Sequence, residues 1–247
     1  MNEAIVVYAA GSLKRALTVL FEKFEQDSGL PVQAQYGPAG LLRERLQKGE
    51  RADLFASADR ASPARLVAFR LAVNSQRFAR NKLCAVVSLN SDITSATLLA
   101  AMLDPRLTVG TSTPMLDPSG DYAVAVFDKA GQLQDGASDI LKNKAVALVG
   151  GRAPTPIPDG WVASEYLVAS GAADIFLSYA SYSDAIERSG RTRVVELPDA
   201  LQVQADYVMA SINPENEGAR TLRAFTMGTT GQAILKQYGF LDPDHND

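Results

Sequence analysis

Short apolar segments alternate along the chain with longer segments in which apolar residues recur every three or four positions. The run Ile5–Ala10 is continuous and too short for a helix, which indicates a buried strand, and Gly11 marks a tight turn after it. Apolar residues then fall at helical spacing as far as Phe24, and Gly29 with Pro31 ends this helix. Such alternation predicts a doubly wound α/β fold with a parallel sheet.

The same alternation continues to the end of the chain. Further strands are predicted over residues 32–36, 52–57, 82–89, 107–111, 174–179, 194–197 and 203–212. Further helices are predicted over 41–48, 95–103, 122–130, 182–189 and 219–238, the last segment as one helix or two. The pattern alone leaves open one wide sheet or two lobes that share strands.

Composition narrows the function classes. With 247 residues, 47% of them apolar and 21% charged, the chain is long enough for one large or two smaller globular domains. The formal net charge of −4 provides no positive electrostatic field that would attract a nucleic acid or an anionic membrane. No apolar run is long enough to span a bilayer, and the start Met1-Asn2-Glu3 has no feature of a secretory signal.

Residues for nucleophilic or metal chemistry are scarce. Cys84 is the one cysteine and lies in an apolar run, so we expect a buried, inert thiol and no internal disulfide. His245 is the one histidine and lies in the polar tail, which argues against serine-histidine triads and histidine metal sites.

Four loops of small residues follow predicted strands, where ligands bind in open α/β sheets. Most of them precede a predicted helix, whose first N–H groups are unpaired and favour negative charge. Such neutral donors suit a fully deprotonated tetrahedral anion such as sulfate, molybdate or tungstate. The loops are Ala9-Ala10-Gly11-Ser12, Gly37-Pro38-Ala39-Gly40, Asp117-Pro118-Ser119-Gly120 and Ser178-Tyr179-Ala180-Ser181.

Each loop also has a purely structural interpretation. Ser12 and Asp117 are suitable helix caps, and Tyr179 is of a type that packs half-buried at strand ends. The anion hypothesis therefore depends on the four loops together.

Several segments resemble the molybdate-binding solute receptors of bacterial ABC importers. The first are the strand and turn Val7–Leu13 and the block Ala52–Asp59, with sequence ADLFASAD. The similarity continues through Leu107–Gly110, the strand that ends at Tyr179, and the terminal segment Gly231–Phe240. It covers nearly the whole chain.

The resemblance implies a class II periplasmic-binding-protein fold. Two α/β lobes, residues 1–81 with 205–247 and residues 82–204, would be joined by crossing strands near 81–89 and 202–212, with the ligand in the cleft between them. It also implies a periplasmic or otherwise extracytoplasmic monomer without cofactor or catalytic activity, whose signal peptide is absent from this sequence. Its partners would be molybdate or tungstate and the ABC permease that receives the anion.

The resemblance also implies ligand-binding positions. Ser12 matches a serine donor and Tyr179 the tyrosine donor, whereas Ala39 stands where many members have a serine and keeps only its N–H. Asp117 lies in a stretch that also resembles archaeal tungstate and molybdate receptors, in which carboxylates join the coordination; their glutamate near the tyrosine is Ser178 here. The full expected set is Gly11, Ser12, Ala39, Gly40, Asp117, Ser119, Trp161 and Tyr179.

Three alternatives remain open at this stage. The same fold binds other anions, such as sulfate or a small carboxylate, and it also occurs as a ligand-sensing domain. An enzyme with Ser12 or Ser119 as nucleophile would need a general base, and with His245 in the tail only a lysine or a carboxylate could serve.

Overall fold

The computed structural model describes residues 3–244, and the chain divides into two compact units. Unit 1 contains the described residues up to Asn81 together with those from Ala205 onward, and unit 2 is Lys82–Gln204. No helix within residues 3–244 is both long enough and apolar enough to cross a bilayer. His245, the one histidine of the sequence, lies outside the described residues.

The sheet of unit 1 has three parallel strands and two further strands. The parallel strands are β1 (Ile5–Ala10), β2 (Val32–Gly37) and β3 (Leu54–Ser57), in the order β2-β1-β3. β9 (Gln204–Ser211) pairs antiparallel with β3, and β4 (Val73–Ser88) lies beside β9. The chain thus leaves unit 1 within β4 and returns to it at the beginning of β9.

The helices of unit 1 bury one apolar face each. The first, α1 (Lys14–Ser28), follows a 3-10 helix at Gly11–Leu13 and buries residues at spacings of three and four. It ends at Gly29, whose φ of 69° is the left-handed conformation that a helix C-terminus favours. The others are α2 (Ala39–Gln47), α3 (Ala61–Ala68), α9 (Glu217–Met227) and α10 (Thr229–Gln237).

Unit 2 combines parallel and antiparallel pairing. Here β5 (Val109–Ser112) lies parallel to both β6 (Val146–Val149) and β7 (Ile175–Tyr179). The end of β4 pairs antiparallel with β7 and with β8 (Thr192–Glu196). The helices are α4 (Leu98–Leu103), α5 (Pro118–Leu133), α6 (Ala137–Lys144), α7 (Ala163–Ala169) and α8 (Ser183–Ser189).

The predicted parallel sheet is correct for β1–β3 and for β5–β7, but β4, β8 and β9 run antiparallel to their neighbours. The elements α3, α6, β6 and α7 were not predicted, because each is short and has few periodic positions. α5 begins at Pro118 rather than at Tyr122, since Asp117 caps it and a proline fits the first helical turn.

Cys84 is a buried thiol, as predicted. It lies in β4 with 2% of its surface exposed, and burial raises its pKa to about 12. The thiol is therefore protonated and inaccessible in the folded chain.

Candidate functional site

Two of the predicted loops of unit 1 begin side by side. In the parallel register of β1 and β2, Ala10 is opposite Gly37, so the chain turns into Gly11 and into Pro38 at the same edge of the sheet. A Cβ placed on Gly11 would lie 4.0 Å from the carbonyl oxygen of Gly37. The turn that carries Ser12 and the loop that begins α2 are thus neighbours.

The Ser12 hydroxyl is held by a buried phenol. Its Oγ lies 2.9 Å from the hydroxyl oxygen of Tyr207, to which the side-chain amide of Asn81 donates at 3.4 Å. Tyr207 and Asn81 are both fully buried. The Tyr207 ring also packs edge-to-face on Phe78 and Phe240, with centroids 6.4 and 5.1 Å apart. Ser12 does not cap its helix through its side chain.

The network joins three side chains of unit 1. The side-chain NH2 of Asn81 donates to the Tyr207 oxygen, and either hydroxyl of the Ser12–Tyr207 pair can donate to the other. Sequence reasoning missed Tyr207 and Asn81, although both lie in the predicted crossing segments.

The beginning of α2 has no side-chain cap. Its N-cap is Pro38, which has no hydrogen-bonding side chain, and the first two helical residues, Ala39 and Gly40, are buried. A helix start of this kind presents unpaired N–H groups and a partial positive charge. It is chemically suited to accept an anion.

In unit 2, the start of α5 is capped internally. Asp117 accepts from the Ser119 amide at 3.3 Å and from the Ser112 hydroxyl at 2.5 Å. Ser119 is buried, and a Cβ on Gly120 would lie 2.5 Å from the Pro114 nitrogen, so only glycine fits there. The Ser119 amide and the Asp117 carboxylate thus both belong to the start of α5.

The other two predicted residues of unit 2 differ in their surroundings. Tyr179 ends β7, is buried, and packs edge-to-face on Tyr122 of α5 at 6.3 Å between centroids. The Trp161 amide donates to the Pro158 carbonyl, and the Arg191 guanidinium lies 3.9 Å from the centre of the Trp161 ring. The start of α5 thus contacts Tyr179 through Tyr122, whereas Trp161 has a separate packing environment.

A cluster of arginines surrounds Asp206, the residue before Tyr207. Asp206 accepts from Arg60 at 2.5 Å, from Arg80 at 3.1 Å and from Arg77 at 3.4 Å. Burial raises the pKa of Asp206, but hydrogen bonds from Arg60 and Arg80 outweigh it, so that its pKa is lowered. Three guanidinium groups therefore share the Asp206 carboxylate, and Arg77 also lies 3.9 Å from a carboxylate oxygen of Asp244.

Metal-binding side chains are not clustered in the described part of the chain. Across residues 3–244, no group of three or more His, Cys, Asp or Glu side chains has the arrangement of a metal site. The donors brought together in unit 1 are a hydroxyl and backbone amides, which suit an anion rather than a cation.

Comparisons with known proteins agree over almost the entire chain. The family model described as "Bacterial extracellular solute-binding protein" matches residues 5–241. An uncharacterised protein of Pasteurella multocida (strain Pm70) is 36% identical over 241 residues, which cover 97% of this chain and 99% of the relative. The molybdate-binding protein ModA of Escherichia coli (strain K12) is 29% identical over 96% of this chain and 88% of its own length.

Solved structures show the same architecture. The sulfate-binding protein SubI from Mycobacterium tuberculosis H37Rv superposes with a TM-score of 0.78 at 19% sequence identity. The match covers 98% of this chain and 88% of that protein. At this level of identity the similarity describes the fold.

Proposed function

The chain belongs to the family of bacterial extracellular solute-binding proteins, and on this premise we propose that its solute is a tetrahedral oxyanion, molybdate or tungstate. Family and structural similarity confirm the predicted class II periplasmic-binding-protein fold and a role in binding rather than catalysis. Solute-binding proteins of ABC importers deliver their ligand to a permease. In our proposal this chain does so outside the cytoplasm, as a monomer without a cofactor.

One observation carries the choice of an oxyanion. The Ser12 hydroxyl, oriented by Tyr207, and the uncapped start of α2 lie at neighbouring strand ends in unit 1. An ion such as molybdate has only acceptor oxygens, so a hydroxyl and backbone amides satisfy it without any acceptor from the protein. The amides of Gly11, Ala39 and Gly40 are the backbone donors in this proposal.

We also propose ligand-binding donors within unit 2. The Tyr179 hydroxyl and the amides at the start of α5, including that of Ser119, are the groups that the family resemblance suggests. Asp117 contributes in this proposal by orienting that helix start, because its oxygens accept from Ser119 and Ser112. Trp161 contributes a fluorescent reporter in the same unit, since its amide already donates to Pro158.

The missing hydroxyl at Ala39 favours a second candidate. A site with one hydroxyl fewer than many molybdate receptors also suits sulfate or a small carboxylate, and SubI binds sulfate on the same fold. The size of the anion distinguishes these candidates. Molybdate and tungstate have longer bonds to oxygen than sulfate has, and the amides at helix ends are fixed in position. We expect molybdate and tungstate to bind more tightly than sulfate.

The test is a titration with molybdate, tungstate, sulfate, phosphate and citrate. Binding is measured by the fluorescence emission of Trp161 and by the midpoint of thermal unfolding. A ligand present at about 1,000 times its Kd adds roughly 4 kcal/mol of stability, which a thermal midpoint detects readily. If none of the five anions changes either signal, the oxyanion proposal is wrong. Sulfate that binds as tightly as molybdate selects the second candidate.

Ser12→Ala then tests the donor itself. Loss of a hydrogen bond to a charged ligand is worth about 2 kcal/mol, so we expect the Kd of the bound anion to rise roughly thirtyfold. Ser28→Ala is the matched control, because the Ser28 hydroxyl donates to the Phe24 carbonyl at the other end of α1. An unchanged Kd for Ser12→Ala shows that the hydroxyl has no part in binding.

A further inference from the structure

One arginine of α2 is buried without an anionic partner. Arg43 has 8% of its surface exposed, and its Nε is inaccessible and makes no hydrogen bond within residues 3–244. No carboxylate in this described range forms an ion pair with its guanidinium. Arg45, two positions later, has the opposite environment: it donates to Glu50, to Gln35 and to the Tyr8 hydroxyl.

Burial of an unpaired charge opposes folding. An arginine cannot lose its proton in a protein, so Arg43 keeps its full positive charge in this environment. Neighbouring groups normally compensate a buried charge by pairing with it or by coordinating it. A guanidinium that lacks such a partner is the arrangement expected of a residue whose partner is a ligand.

Position 43 lies one turn after the start of α2, on the same face as its first two residues. Side chains of an α-helix lean toward its N-terminus and cover the residues three and four positions earlier. For Arg43 these are Gly40 and Ala39, and neither has a side chain larger than a methyl group. The nine-residue helix α2 thus has an uncapped N-terminus and, one turn later on the same face, a buried arginine.

We infer that Arg43 is a ligand-binding residue of this chain and that it makes the site selective for doubly charged oxyanions over singly charged ones. The inference rests on the proposed function and refines it. Neutral donors alone recognise the oxygens of an anion, whereas a guanidinium adds a full charge and two parallel N–H groups for adjacent oxygens. The substrate class is therefore a divalent anion with at least two oxygens on one atom.

Two pairs of ions of matched shape isolate the effect of charge. Tungstate and perrhenate are tetrahedral ions of similar size with charges of −2 and −1, and sulfate and perchlorate form a second such pair. We expect the wild-type chain to bind the divalent member of a pair far more tightly. Arg43→Gln narrows the ratio of the two Kd values at least tenfold, whereas Arg45→Gln, the matched control on α2, leaves that ratio unchanged.

Stability without ligand separates a binding role from a structural one. If Arg43 awaits a ligand, Arg43→Met leaves the urea midpoint of the ligand-free chain unchanged or raises it, while Arg45→Met lowers the midpoint by breaking the pair with Glu50. Arg43→Lys keeps the charge and loses the planar fork, so it weakens tungstate binding but preserves the preference over perrhenate.

The outcomes distinguish a failure of the proposed role of Arg43 from a failure of the proposed function. A wild-type chain that binds tungstate or sulfate, combined with unchanged ratios in Arg43→Gln, overturns the role of Arg43 and leaves the proposed function intact. A lower urea midpoint for ligand-free Arg43→Met, with unchanged ratios, assigns Arg43 to the fold alone. A wild-type chain that binds none of the four ions overturns the proposed function, and the selectivity argument with it.

Discussion

Removal of the Tyr207 hydroxyl tests whether a buried network prepares Ser12 for its ligand. Tyr207→Phe deletes an oxygen that lies 2.9 Å from the Ser12 Oγ and accepts from Asn81 at 3.4 Å. The ring stays in place, because its edge-to-face contacts with Phe78 and Phe240 do not involve the hydroxyl. The substitution therefore removes orientation from Ser12 and leaves the packing of unit 1 intact.

Two magnitudes follow from the structure. Loss of hydrogen bonds by fully buried groups costs about 1 to 3 kcal/mol, and a chain of this size loses about 2 to 4 °C of thermal midpoint per kcal/mol. In Tyr207→Phe the Ser12 hydroxyl can still reach the ligand, but its side chain becomes ordered only on binding. This loss of conformational freedom weakens binding. We expect about 1 kcal/mol of lost affinity, roughly a fivefold rise in Kd.

The assay is a double-mutant cycle with Ser12→Ala, read out by isothermal titration with the anion that binds best. Because Tyr207 acts through Ser12, Tyr207→Phe should cost affinity in the wild-type background and nothing further in Ser12→Ala. Tyr8→Phe is the control: its hydroxyl donates to Glu50 at 2.6 Å and accepts from Arg45, so stability falls while Kd stays constant.

Equal losses of affinity in both backgrounds would refute this reasoning. Such a result would mean that Tyr207 affects the ligand by a route that does not pass through the Ser12 hydroxyl.

Two further substitutions test the electrostatics of unit 1 and the packing of unit 2. Asp206→Asn removes the carboxylate shared by Arg60 and Arg80 and should cost about 1 to 2 kcal/mol at neutral pH. Folding lowers the pKa of Asp206, so its carboxylate stabilises the fold above its pKa in the unfolded chain, about 4. This stabilisation is lost as pH falls through the pKa of the folded state. The urea midpoints of wild type and Asp206→Asn should therefore converge in acid. Gly120→Ala places a Cβ 2.5 Å from the Pro114 nitrogen and should lower the urea midpoint by an amount equivalent to about 2 kcal/mol; an unchanged midpoint would contradict the tight packing at the start of α5.

The candidate site was accessible to sequence reasoning only in part. Small-residue loops after predicted strands pointed to Ser12 and to the start of α2, because the ends of parallel strands meet at one edge of a sheet. The loop pattern also offered Asp117 as a helix cap, which the structure shows at the start of α5, whereas the ligand roles of Asp117 and Trp161 came from the family resemblance and stay predictions. A cap and a ligand donor require the same residue types, so sequence does not separate them.

The periodicity of apolar residues located most of the helices and strands. Each such element buries a repeating set of apolar positions, and this repeat is visible within a short stretch of sequence. α1 illustrates this: its apolar spacing and Gly29 marked both its buried face and its end. The partner of Ser12 lies 195 positions away along the chain, and Asn81 lies 126 positions from the same tyrosine. Contacts between distant residues leave no local pattern, and neither does the lack of a partner at Arg43, so these features of the site emerged only when folding brought the strands together.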